Sequence, residues 1–122
     1  MTSSLPTILL IEDEAVIRLG TIAMLEDGGY EVLEAGDASE ALVILSGHPE
    51  IDVVLTDVEM PGVIDGLSLV EIINQDYPSI RCIVTSGKAS LDDARQYGAK
   101  FYLPKPYSAA TMEAALKDAL AA

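Results

Sequence analysis

Glu12-Asp13-Glu14, Asp57, Ser86 and Lys105 are the residues whose types and surroundings permit chemistry in this 122-residue chain. Each sits at or just beyond the end of a short apolar run: Thr7–Ile11 (TILLI), Val53–Thr56 (VVLT), Ile80–Thr85 (IRCIVT) and Phe101–Leu103. The first three runs are brief, β-branched and continuous rather than alternating, the pattern of strands buried on both faces of a parallel sheet. In such open sheets, ligands gather outside the carboxyl ends of the strands. Glu12, Asp13 and Asp57, with a hydroxyl and an amine, therefore converge on one edge from four strands. Carboxylates gathered there repel, by roughly 3–4 kcal/mol for two unit charges about 4–5 Å apart at an effective dielectric of 20. A cation among them relieves the repulsion. All-oxygen ligands without His or Cys select a hard cation, and a phosphate-handling site favours Mg²⁺. A carboxylate held beside Mg²⁺ and an amine can act as nucleophile toward phosphorus, giving an aspartyl phosphate.

Helical patterns separate the runs. Ala38, Ala41, Leu42 and Leu45 recur at helical spacing, with Asp37 placed as N-cap and Glu40 at the third helical position. Met112, Ala115, Leu116, Ala119 and Leu120 form a second stripe behind a Ser108 cap. Ser90-Leu91-Asp92-Asp93 opens a further helix that Gly98 should end. Glu14–Asp27 and Leu67–Asp76 complete the helices, and Tyr30–Glu34 and Phe101–Leu103 read as weaker strands nearer the edges. Five βα units with right-handed crossovers give a doubly wound (βα)₅ sandwich of the α/β class.

The length suits one domain, residues 1–122, with no room for an output domain. Half the residues are apolar, which excludes a disordered chain. Seven basic residues against twenty acidic ones give a net charge of −13, which argues against binding nucleic acid or anionic membrane. Cys82 is the only cysteine, and no run reaches the roughly 18 apolar residues of a membrane span. Met1–Pro6 is no signal peptide, and the expectation is a cytoplasmic domain whose short amino end favours a complete chain.

The motifs ILLIEDE, VVLTDVEMPG…DG, IVTSG and FYLPKP together resemble the receiver domains of two-component response regulators, over Ile8 to Leu120. That resemblance implies a flavodoxin-like five-stranded sheet in order 2-1-3-4-5. It implies that Asp57 is the phosphoacceptor and that Asp13 binds Mg²⁺ directly, with Glu12 acting beside it. It adds the Glu59 backbone carbonyl as a further metal ligand. Ser86 matches the hydroxyl that moves to the phosphoryl group, Lys105 the lysine that pairs with its oxygens, and Tyr102 the aromatic that rotates inward afterwards. A cis Lys105–Pro106 peptide is implied as well. The implied partners are a histidine kinase or histidine phosphotransfer protein and a downstream target reached through the fourth helix, fifth strand and fifth helix. The domain itself would be a monomer or a phosphorylation-dependent dimer.

Glu12 stands where Asp is more frequent, and Val63-Ile64 lengthens the loop after the acceptor by one residue. Glu59 and Lys88, two residues after Asp57 and Ser86, are expected to pair across the site mouth and slow hydrolysis. His48 reads as a solvated loop histidine, Arg18 as a surface charge and Cys82 as a buried filler. The chief alternative is a small Mg²⁺-dependent phosphohydrolase with Asp57 as nucleophile and Glu59 as general acid. A receiver fragment of a larger regulator or hybrid kinase, and a phosphorylation-independent adaptor, are further alternatives. The first reading is of a signalling domain, not a metabolic enzyme.

Overall fold

Consecutive apolar residues in a strand point to opposite faces, so an unbroken apolar run needs cover on both sides. The computed structural model, which describes residues 5–59, 65–87, 91–96 and 98–122, provides that cover. Its elements are β1 (Thr7–Ile11), α1 (Ala15–Asp27), β2 (Glu31–Ala35), α2 (Ala38–Gly47), β3 (Ile51–Asp57), α3 (Gly66–Asp76), β4 (Arg81–Ser86), α4 (Leu91–Gln96), β5 (Phe101–Pro104) and α5 (Ala109–Ala121). The five strands form one sheet in the order β2-β1-β3-β4-β5, and every pairing is parallel. The two weaker strands are indeed at the edges.

Each face carries its own core. Ile8 and Leu10 of β1 join Val53, Leu55 and Ile83 against Leu25 of α1 and Met112, Leu116 and Ala119 of α5. Leu9 and Ile11 face the other way, onto Ala38, Ala41 and Leu45 of α2 and Leu69, Val70 and Ile73 of α3. Burying each of the larger side chains, Val, Leu, Ile or Met, contributes about 1.5–3 kcal/mol, so the two cores fix the sheet against both helical layers.

The caps follow the sequence. Asp37 accepts from the Glu40 amide at 2.8 Å while the Glu40 carboxylate accepts from the Gly36 amide at 2.7 Å. Ser108 and Thr111 form a reciprocal capping box on α5. Gly98 closes the turn after α4 with φ +91°, a conformation open to glycine without strain. Ser90 lies outside the described residues. Leu120, placed in the apolar stripe of α5, is 37% exposed because it sits at the outer margin of that helix. One bulge interrupts the β1–β3 ladder between Thr7 and Ile8, and Asp52 there turns outward to accept from the Thr7 amide at 2.9 Å.

Cys82 packs in the core beneath α3, and burial pushes its thiol pKa up to about 12. At pH 8 the folded protein should therefore resist alkylation, because the thiolate is the nucleophile. Mass spectrometry after iodoacetamide treatment should show modification only once urea unfolds the chain; rapid labelling of the native protein would contradict the buried placement.

Candidate functional site

Parallel pairing brings the strand ends together in register. Ile11 lies beside Thr56, Asp57 beside Thr85, and Ser86 beside Pro104. Backbone bonds continue past the strands: Glu12 N–H to Ala35 at 3.1 Å, Val58 N–H to Thr85 at 3.1 Å, and Lys105 N–H to Ser86 at 3.0 Å. The residues carrying the acids, the hydroxyl and the amine are thus fixed by main chain before their side chains are considered.

Glu12 and Asp57 are buried, 3% and 4% exposed, whereas Asp13 points outward from the same edge. One carboxylate oxygen from each lies within 4.8 Å of the other two. The Lys105 ammonium donates to Asp57 Oδ2 at 2.6 Å and reaches Glu12 Oε1 at 3.4 Å. The other Asp57 oxygen, Oδ1, accepts from the Glu59 amide at 3.0 Å. Glu12 Oε2 in turn accepts from the Glu14 amide at 3.1 Å. Asp57 is therefore held from two directions and cannot turn away from the edge without losing both bonds.

The electrostatics register the crowding. Burial is the main influence on Glu12 and raises its pKa; the charge of Asp57 adds to the rise, while the Glu14 amide and Lys105 act against it. For Lys105, burial pulls the pKa down, but the bond to Asp57 and the charges of Asp57 and Glu12 outweigh it and leave it raised. The lysine stays cationic at neutral pH. One ammonium against three carboxylates leaves two negative charges uncompensated, the charge of one divalent cation. An all-oxygen donor set with that deficit fits a hard divalent metal.

Ser86, 1% exposed, ends β4 next to Asp57. Tyr102 is half-buried and its hydroxyl donates to the Ser86 carbonyl at 3.2 Å. The Lys105–Pro106 peptide is cis. The Glu59 side chain accepts from the Gly87 amide at 3.1 Å, tying the loop after β3 to the loop after β4. Met60 to Ile64 and Lys88 lie outside the described residues, and with them the expected Glu59–Lys88 pair. His48 is half-buried, with Nδ1 2.8 Å from the Glu50 carboxylate, at the end of α2.

Three features escaped the sequence reading. Arg18, expected as a surface charge, is also tied to the strand edge: Nη1 donates to the Glu12 carbonyl at 2.6 Å and Nε to Glu34 at 3.0 Å. Gly66, the first residue of α3, lies so close to β3 that a Cβ there would strike the Asp57 carbonyl oxygen. Buried Thr21 shares a hydrogen bond of 2.8 Å with the Tyr107 hydroxyl, linking α1 to the segment after Lys105. The Asp65-Gly66 pair was the one visible signal, as an N-cap followed by glycine.

Similarity to known proteins points the same way. The chain is 39% identical over 118 residues to the sensor kinase CckA of Brucella abortus, covering 93% of this chain and 12% of that protein. It is 35% identical over 116 residues to the transcriptional regulatory protein PdtaR of Mycobacterium tuberculosis, covering 93% of this chain and 56% of that one. The chain thus spans less than two-thirds of either relative. A response regulator receiver domain from Clostridium thermocellum matches with a TM-score of 0.89 and 35% identity, over 96% of this chain and 95% of that one. The chemotaxis response regulator CheY4 of Vibrio cholerae matches with a TM-score of 0.87 and 28% identity, over 96% of this chain and 100% of that one. The response regulator receiver domain family matches residues 8–117. With the doubly wound sheet and the strand-end acids in place, that match settles the family: the chain belongs to the response regulator receiver domains.

Proposed function

We propose that this receiver domain accepts a phosphoryl group on Asp57 in a Mg²⁺-dependent reaction and passes the signal on by a conformational switch. The observation that carries the reading is the buried Asp57 carboxylate, gripped by Lys105 at 2.6 Å and by the Glu59 amide at 3.0 Å. Glu12, Asp13 and Asp57, with the Glu59 carbonyl, would hold the ion. Bound there, Mg²⁺ would neutralise charge developing on the phosphoryl oxygens. An Asp57 oxygen attacks phosphorus, the bond from phosphorus to the donor histidine nitrogen breaks, and the electron pair returns to the imidazole. Lys105 then pairs with the phosphoryl oxygens, and the Ser86 hydroxyl moves toward them. Because Tyr102 bonds to the Ser86 carbonyl, movement there reaches the α4–β5–α5 face that the target protein would read.

The phosphodonor, a histidine kinase or phosphotransfer protein, would dock beside α1. Val16 and Leu19 stand 83% and 66% exposed there. An apolar groove lined by Val16, Ile17, Met24 and Tyr107 runs up to Lys105, and so to the reacting carboxylate. The phosphohydrolase alternative is weaker, because it needs the Glu59 carboxyl free as an acid beside Asp57, and that carboxylate instead binds the Gly87 amide. Residues 1–122 would act as a single cytoplasmic signalling domain rather than a turnover enzyme. No described helix is long and apolar enough to cross a membrane.

The test is incubation with Mg²⁺ and acetyl phosphate, followed by intact mass measurement. One phosphoryl group per chain is expected with Mg²⁺ and none with EDTA. Asp13→Asn should raise the Mg²⁺ concentration needed for half-maximal phosphorylation by about ten-fold or more, since a charged ligand becomes a neutral one. Equal phosphorylation in EDTA would refute the metal requirement.

A further inference from the structure

Arg18 is the one cation besides Lys105 that bonds to a residue of the acid cluster among the described residues, and it bonds to backbone rather than to a carboxylate. We propose that Arg18 is a positioning residue for the cation site, a staple that fixes the β1–α1 turn so that Glu12 and Asp13 present their carboxylates together. The inference rests on the Mg²⁺ reading above and adds to it a residue outside the ligand set.

The geometry supplies the reason. Glu12 and Asp13 lie in the turn between β1 and α1, where no strand ladder fixes both sides of the backbone. The guanidinium comes from the first turn of α1, where the Arg18 amide closes onto the Glu14 carbonyl at 2.9 Å. Its Nη1 donates to the Glu12 carbonyl at 2.6 Å and its Nε to Glu34 at the end of β2 at 3.0 Å. A planar fork holds two acceptors in fixed directions, whereas a lysine ammonium is a point charge whose donors rotate freely. The Glu12 amide meanwhile donates to Ala35 at 3.1 Å, so both polar groups of the Glu12 backbone are tied toward β2. The Arg18 side chain is only 22% exposed and its bond to the Glu12 carbonyl is partly buried, so solvent competes less for that bond than for the one to Glu34, which is 53% exposed. Fixing that peptide leaves the Glu12 side chain to turn back onto the Glu14 amide at 3.1 Å, beside Asp57 and Lys105.

Charge alone and positioning predict opposite signs. As a mere positive charge near an acidic site, Arg18 would repel Mg²⁺, and its removal would tighten binding. As a staple, its removal loosens the ligands and weakens binding; groups that orient metal ligands typically contribute about 10–100-fold in affinity.

The experiment titrates Mg²⁺ into wild type, Arg18→Ala and Arg18→Lys, following backbone amide shifts by NMR. It also measures hydrogen exchange of the Glu14 amide in the metal-free proteins. The expected result is Mg²⁺ binding about ten-fold weaker in Arg18→Ala, with faster Glu14 exchange. Arg18→Lys, which keeps the charge and stays folded if Arg18→Ala does not, should fall between. Unchanged or tighter Mg²⁺ binding in both variants, with Glu14 exchange as in wild type, would overturn the proposal. If wild type itself failed to bind Mg²⁺, the reading of the site would fall. Glu14 exchange would then still decide whether Arg18 orders the turn: unchanged exchange overturns the staple, and faster exchange supports it.

Discussion

Asp57→Asn is expected to gain no phosphoryl group from acetyl phosphate and Mg²⁺, while folding as wild type does. The carboxamide keeps the size and shape of the side chain, so the cores above and below β3 are undisturbed. It can still accept from the Glu59 amide, now 3.0 Å from Asp57 Oδ1. What it loses is the anionic oxygen that must form the new bond to phosphorus, for which an amide oxygen is a poor substitute. The effect on stability is small because two changes oppose one another. Lys105 loses its shorter contact, at 2.6 Å, but retains Glu12 at 3.4 Å. At the same time Glu12 and Asp13 lose a neighbouring negative charge. With the lysine partly solvated, the net change should stay within about 1 kcal/mol. Intact mass and urea unfolding of both proteins check the two halves separately. A variant phosphorylated at the wild-type rate would move the acceptor elsewhere.

The sheet and the convergence of the acids were legible in the sequence for one physical reason. Ile8 and Leu10 pack toward α1 and α5 while Leu9 and Ile11 pack toward α2 and α3, so TILLI had to be apolar throughout. Unbroken runs of that kind imply parallel strands, and parallel strands present all their carboxyl ends at one edge. Strand limits were less legible. β3 extends to Asp57 and β4 to Ser86, because the ladder pairs Asp57 with Thr85 and Ser86 with Pro104 whatever their polarity. Arg18 could not be placed because its partners lie across a tertiary gap: a carbonyl in the preceding turn and a carboxylate on β2. Helical spacing gives the face of a side chain but not the length of its reach to another strand. Gly66 escaped for a related reason, since a close approach of two backbones leaves no mark on hydropathy.

That close approach carries the other large effect. A Cβ on Gly66 would strike the Asp57 carbonyl oxygen, and it would stand 2.6 Å from Val58 Cα and 3.1 Å from the Asp57 carbonyl carbon. All three are backbone atoms at the strand end that holds Asp57, so no side chain can swing aside to make room. Gly66 is buried at the start of α3, where Asp65 caps the helix through the Ser68 amide at 2.7 Å. Gly66→Ala must therefore lift the helix start off β3 or push Asp57 out of place. Overpacking of this kind costs about 1–3 kcal/mol, a fall of roughly 4–12 °C in unfolding midpoint for a domain of this size. A displacement of the acceptor by about 1 Å would slow phosphorylation by up to roughly 100-fold. Gly20 supplies the control, because it lies within α1 and an added Cβ there meets nothing within 4 Å. Gly20→Ala should stabilise the protein by about 0.5–1 kcal/mol through helix propensity. Thermal unfolding and the acetyl phosphate assay on both variants separate the contact from the change of residue type. Equal midpoints and equal phosphorylation rates for Gly66→Ala and wild type would mean that α3 and β3 are not in the contact described.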